Sequence, residues 1–251
     1  MHRLYRQTGI AFFTAPLCPG SLAPAEMPLL TGRSTMNTII TIGRQYGSGG
    51  RFVGKLIAEH YGIKFWDNEL LDRVAAESGY AREILERQDE KPTNSFLFSL
   101  AMDSYSFGYH TPGLLEMPLS QKIFLAQYDV IRDIAKEGPA VFVGRCTDVA
   151  LEDFPNVLNI FIHASDDFKY QRISTLDAYP DIKNRDKALE LCMKKDKQRQ
   201  SYYNYYSSKK WGRADSYHLT VDTSVLGIEG TASMLIAAID AFEAVRDRGT
   251  E

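Results

Sequence analysis

The segment Thr38-Ile-Ile-Thr-Ile-Gly43-Arg-Gln-Tyr-Gly47-Ser48-Gly49-Gly50-Arg51-Phe-Val-Gly-Lys55-Leu-Ile-Ala-Glu59 runs from a β-branched apolar stretch through a glycine-rich turn into an amphipathic helix. Val53, Leu56 and Ile57 recur there at helical spacing. Gly47, Gly49 and Gly50 let backbone N–H groups converge on one point, and the helix start adds the positive end of its dipole. With Ser48 between them, these residues are built to hold a polyphosphate by main chain. A turn of this kind also serves as a plain tight connection, but strand, turn and helix come in the order that phosphate binding requires. The turn departs from the pattern G-x-x-x-x-G-K-[ST]. Gly50 stands where the lysine belongs, and neither Arg51 nor Phe52 offers a hydroxyl to Mg²⁺.

Four further β-type segments follow, at Ile63 to Trp66, Ala140 to Val143, Val157 to Ile162 and His218 to Val221, with helical patterns between them. Such alternation predicts an α/β fold with a five-stranded parallel sheet covered on both faces, and ligand chemistry beyond the strand C-termini. Polar residues stand at each exit: Arg44 to Arg51, Asp67, Gly144 to Asp148, Ser165 to Asp167, and Asp222 to Ser224.

The 251 residues, 44% hydrophobic, suffice for a full core, and disorder as the main state is excluded. A net charge of -3 gives no general attraction to nucleic acid or to an anionic membrane. Cys18, Cys146 and Cys192 lie far apart without metal-ligand spacing, as in a reducing compartment, and Cys146 reads as a small packing residue. No apolar run stands out as a bilayer span, and a cytoplasmic location is expected. Residues 1–35, with Pro16, Pro19, Pro24 and Pro28, read as a loose extension before a domain that starts at Met36.

Between the second and third strands, residues 68–138 form an insertion. It has a helix from Leu70 to about Gln88, an aromatic stripe (Phe96, Phe98, Tyr105, Phe107, Tyr109) and a second helix from Ser120 to Lys136. A second substrate could be enclosed there. Residues 184–213 are dense in cations and tyrosines, including Lys195, Lys197, Arg199, Tyr202 and Tyr203, and read as a lid over phosphates or as a solvated helix face.

Taken together these segments resemble the cytidylate kinase-like branch of the P-loop nucleoside monophosphate kinases, from about Asn37 to Glu243. The resemblance rests on the lysine-less loop Gly43 to Arg51, on Phe65-Trp-Asp67-Asn-Glu-Leu-Leu71 and on Val141-Phe-Val-Gly144-Arg145-Cys146-Thr-Asp148. The lid segment Lys195-Asp-Lys-Gln-Arg199 and the closing strand Val221-Asp-Thr-Ser224 complete it. It implies a three-layer P-loop NTPase fold with a helical insertion and a lid, and ATP-dependent phosphoryl transfer to a nucleoside monophosphate, CMP or dCMP first. The rivals are a kinase of another small molecule and a nucleotide-binding regulator that has lost catalysis.

In that reading Gly47, Ser48, Gly49 and Gly50 present N–H groups to the donor phosphates. Arg51 or Lys55 replaces the missing lysine, Arg51 being nearer the loop. Lys195 and Arg199, four apart and on one helix face, close on the transferring group. Arg145 forks onto the acceptor, with Arg73 aligned to a family acceptor contact and Asp67 and Asp148 binding acceptor or base; Asp67 also suits a helix N-cap. Mg²⁺ is expected with the donor phosphates, with no protein ligand assigned beyond Ser48 or a water-bridged Asp. The expected partners are small nucleotides, without nucleic acid or membrane, and an oligomer is possible.

Overall fold

The computed structural model describes residues 36–90, 117–176, 180 and 182–248, all within the unit 35–251. The extension 1–35 and the aromatic stripe of the insertion lie outside the described residues. The elements are β1 (Ile39–Arg44), α1 (Gly50–Tyr61), β2 (Lys64–Trp66), α2 (Glu69–Ser78), α3 (Arg82–Gln88), α4 (Leu119–Glu137), β3 (Ala140–Val143), α5 (Thr147–Ala150), β4 (Val157–His163), α6 (Asp166–Ser174), α7 (Arg185–Tyr206), β5 (Leu219–Asp222) and α8 (Thr223–Arg248). The sheet order is β2-β3-β1-β4-β5, and every pair is parallel. The expected five-stranded α/β sheet is therefore the observed one.

The β1 side chains alternate between the two faces of the sheet. Ile40 and Ile42 pack with Val53 and Ile57 of α1 and Leu235 and Ile239 of α8, whereas Ile39 packs with Leu70 and Leu71 of α2 and Ile131 and Ile134 of α4. Each such side chain, once fully buried, contributes about 1.5–3 kcal/mol. α1 ends where Gly62 (φ 66°) enters the left-handed region and the Ile63 N–H returns to the Ala58 carbonyl at 3.0 Å.

Two expectations are corrected in detail. The helix expected over 70–88 is two helices, because α2 stops where Gly79 turns left-handed (φ 75°). Among the described residues α8 is long and apolar enough to cross a bilayer, with a mean hydropathy of 1.5. Its Ala232, Leu235 and Ile239 are buried against the sheet layer, however, and its helical geometry breaks at Gly227 (φ 70°, ψ −177°).

Candidate active site

The loop between β1 and α1 has the geometry its glycines imply. Gly47 (φ 80°) and Gly49 (φ 83°) are left-handed, and Gly49 caps α1 without a side-chain hydrogen bond. Ser48 is fully buried; its hydroxyl donates to the Gln45 carbonyl at 2.8 Å, and its own carbonyl accepts from Thr223 Oγ1 at 2.6 Å. The Ser48 hydroxyl thus braces the loop from within. Among the described residues no group of three metal-ligating side chains occurs.

α7 lies across this loop. Asp196 Oδ1 accepts from the Tyr46 N–H at 2.6 Å, and the Arg199 guanidinium stands 5.5 Å from the centre of the Tyr46 ring. Burial pushes the Asp196 carboxyl up to about 6, against the pull of the Tyr46 N–H, Arg199, Lys169 and Arg44. The C-terminal end of α7 is core: Tyr202, Tyr203 and Tyr206 are buried with Phe124 and Phe161, and the Tyr206 and Phe124 rings stack at 3.8 Å. Asp196 and Arg199 of the segment meet the loop, and the tyrosines pack in the core. Lys195 lies one turn before Arg199, and none of the described ion pairs ties it to the site.

Of the sequence candidates for the missing lysine, Arg51 meets residues of and just after β2. Its Nε donates to Asp67 Oδ2 at 2.5 Å and its guanidinium lies 5.9 Å from the centre of the Phe65 ring. Lys55 pairs with Glu59 on the exposed face of α1. Two cations that sequence reasoning missed stand at the glycines instead. Ser165 caps α6, whose Lys169 and Arg172 are three residues apart and share a face. A Cβ built on Gly47 would meet the Lys169 stem at Cβ and Cγ, 3.2 and 3.3 Å away, while the Lys169 ammonium lies 3.6 Å from Asp166 Oδ1; a Cβ on Gly49 would lie 3.7 Å from Arg172 Cζ. Lys169 is only 8% exposed, and Arg172 Nε is buried without a hydrogen-bond partner. Burial lowers the Arg172 guanidinium, with Glu229 opposing.

The register of β1 against β3 pairs Ile42 with Val143, and the Gly144 N–H donates to the Ile42 carbonyl at 3.1 Å. The exits of the two strands are therefore neighbours. Arg145, 3% exposed, spends its donors inside the protein. Nε and Nη2 form a fork on Asp89 at 2.9 and 2.8 Å; Nη1 reaches the Asp67 carbonyl at 2.8 Å and the Val143 carbonyl at 3.5 Å, and Nη2 also reaches Asn68 Oδ1 at 3.3 Å. A guanidinium has five N–H groups, so Arg145 is saturated. Asp67 takes Arg51 on its side chain instead of capping α2. Arg73 is at the surface with Glu77 and Glu137.

Asp89 and Glu90, at the end of α3, were likewise invisible in the sequence. Glu90 Oε1 accepts from Arg44 Nη1 at 2.6 Å and its Oε2 from Arg199 Nε at 3.1 Å. Burial alone would raise the Glu90 carboxyl, but Arg44, Arg199 and Arg145 overcome it and hold it well below the usual range. Burial raises Asp89, with Arg145 opposing. Among the described residues the non-glycine positions with positive φ are Glu90 (51°), Arg145 (56°) and Cys146 (53°), all at this site. Left-handed backbone costs about 1–2 kcal/mol per residue, so the surrounding contacts hold these three in place.

Arg44, Glu90, Arg145, Asp148 and Arg199 line one cleft, walled by Tyr202, Tyr203, Trp211 and Tyr217. Asp148 is buried and accepts from the Tyr203 hydroxyl at 2.6 Å; burial raises its carboxyl, with Tyr203 opposing.

A parallel sheet in this order, with a glycine nest at the exit of the central strand and cations converging on it, defines a kinase-type P-loop phosphotransferase fold. The model of the cytidylate kinase-like family matches residues 39–225, and the chain belongs to that family. Among solved structures it is similar to an uncharacterized protein from Eubacterium ventriosum, at 29% identity and a TM-score of 0.58, covering 81% of this chain and 98% of the other. It is also similar to a shikimate kinase from Bacteroides thetaiotaomicron (12% identity, 81% and 98% covered, TM-score 0.46) and to a gluconokinase from Sinorhizobium meliloti (15%, 85% and 98%, 0.47). No curated protein matches the sequence.

Proposed function

We propose that the chain transfers the γ-phosphoryl group of ATP, bound with Mg²⁺, to a nucleoside monophosphate, CMP or dCMP first. The bond from the γ-phosphorus to the bridging oxygen of ADP breaks as an acceptor phosphate oxygen bonds to the same phosphorus, giving ADP and a nucleoside diphosphate. The observation that carries this reading is the β1–β3 register, which sets the glycine nest beside the Gly144-Arg145 turn so that donor and acceptor can meet in line. The N–H groups of Gly47 to Gly50 and the α1 dipole hold the donor phosphates. Lys169 and Arg172 take the place of the absent loop lysine. Arg44 and Arg199 face the transferring group, where negative charge spreads in the transition state. Mg²⁺, when bound, neutralises the donor phosphates. The partners are small nucleotides in the cytoplasm, where ATP is at hand, and neither nucleic acid nor membrane is required.

A second reading keeps the donor and changes the acceptor to a hydroxyl compound. The saturation of Arg145 favours it, since an acceptor phosphate could take this guanidinium only by breaking an internal hydrogen bond. ADP release measured over a panel of nucleoside monophosphates, hydroxy acids and polyols separates the two. Turnover confined to monophosphates supports the first, turnover confined to hydroxyl compounds replaces it with the second, and none with any acceptor supports a nucleotide-binding regulator.

A further inference from the structure

Asp89 and Glu90 are consecutive residues that bind in opposite directions. Asp89 forks onto Arg145 beyond β3, and Glu90 joins Arg44 of β1 to Arg199 of α7. Two adjacent carboxylates thus tie together three arginines from three separate elements. Both ends of the tie are left-handed, at Glu90 and at Arg145, and Gly144 is packed so closely that a Cβ there would lie 2.5 Å from Glu90 Oε1. Arg44 opposes the charge on Arg199, and without Glu90 between them these guanidiniums would separate.

We propose that the Asp89-Glu90 dipeptide is a positioning element of the phosphoryl-transfer site. Glu90 sets the spacing of Arg44 and Arg199 at the mouth of the loop, and Asp89 fixes that pair to Arg145. Neither carboxylate touches phosphorus; both act through the arginines. The proposal rests on the reading of this site as a phosphotransferase.

Glu90→Gln, Asp89→Asn and the double variant test it in two readouts on the full chain. In turnover with ATP and the best acceptor of the panel, each single variant lowers kcat at least about tenfold while the KM for ATP stays within about threefold. The double variant falls no more than about threefold below the weaker single variant, because the pair acts as one unit. In ¹⁵N spectra of the arginine Nε–H groups, assigned with Arg→Lys variants, Glu90→Gln shifts the Arg145 signal as well as those of Arg44 and Arg199. Asp89→Asn shifts Arg44 and Arg199 as well as Arg145. A lowered melting temperature with kcat within about twofold of wild type would make the dipeptide merely structural and overturn the proposal. Multiplicative losses, or shifts confined to direct partners, overturn it too. If wild-type protein turns over no acceptor while the spectral response spreads across all three arginines, the functional reading fails and the positioning link stands.

Discussion

The Tyr46 N–H of the phosphate-binding loop donates to Asp196 Oδ1 of α7 at 2.6 Å, so a carboxylate holds an amide at the place where donor phosphates are expected. Asp196 is surrounded by Arg199 on its own helix, Lys169 of α6, Arg44 of β1 and the Cys192 thiol. Its carboxyl, raised to about 6 by burial, is mostly neutral at pH 5 and ionised at pH 7. Ionised, it repels phosphate.

Asp196→Asn should therefore bind ATP more tightly than wild type by a factor that grows from pH 5 to pH 7. Taking the ratio at each pH removes the titration of ATP itself. Stability follows the same sign: an acid whose folded value is raised costs stability as pH rises from the ordinary carboxylate range through about 6. The melting temperature of the variant should thus gain on wild type over that interval. A ratio independent of pH would remove Asp196 from the loop's electrostatics.

Substitution should also separate the four candidate cations around the loop. Lys169→Met is expected to lower kcat/KM for ATP about 10²-fold, with Arg172→Met in the same direction, because both stand at the loop glycines. Lys55→Ala, on an exposed pair with Glu59, should stay within about twofold. Arg51→Ala should act mainly through Asp67, on the KM of the acceptor. Steady-state kinetics with each substrate varied in turn distinguishes these outcomes, and a larger effect on ATP from Arg51 than from Lys169 would reverse the assignment.

Gly144 is left-handed (φ 79°), and a Cβ there would overlap Arg44 Nη1 and press on Glu90 Oε1. Gly144→Ala should lower stability by about 2 kcal/mol or more and disable turnover even where the protein stays folded. Denaturant unfolding and the ADP-release assay on the same sample check both parts. Gly138→Ala, at a positive φ but with open space around it, supplies the control and should cost stability alone.

Arg145→Ala would leave Asp89 without its cation, while Asp67 keeps Arg51. Truncating one partner of a buried pair costs about 3–5 kcal/mol, so this variant should melt well below wild type. Its kinetic effect is better read from Arg145→Lys, which keeps the charge but loses the fork. Arg199→Ala, by contrast, should mainly lower kcat, since Arg199 meets the reaction through the cleft.

The sheet and the position of the site were legible because parallel strands announce themselves as apolar runs and ligands gather at their exits. The loop, Arg145 and Asp148 follow from that rule, and Arg199 from the density of cations in the segment 184–213. Lys169 and Arg172 lie just past the polar residues Ser165 to Asp167 of the fourth exit; an N-cap serine followed by K-x-x-R on one helix face is their signal in the sequence. Asp89 and Glu90 carried no such signal. They read as the solvated tail of a helix, and their partners stand 46 to 109 residues away, a separation that no local periodicity reports. The break at Gly79 was written in the sequence as a lone glycine inside a helical pattern.

The arginine–carboxylate lattice draws on residues 44, 89, 90, 145 and 199, so it closes only when the first strand, the insertion, the third strand and the late helix have all docked. Contacts of such long sequence separation form late, after the loop-closure entropy has been overcome. A partly assembled chain would have the hydrophobic layers but arginines without counter-charge, and its nucleotide site would be open and non-functional. Recovery of activity during refolding should consequently lag recovery of helical signal, which makes the enzyme assay a report on the completion of the whole domain.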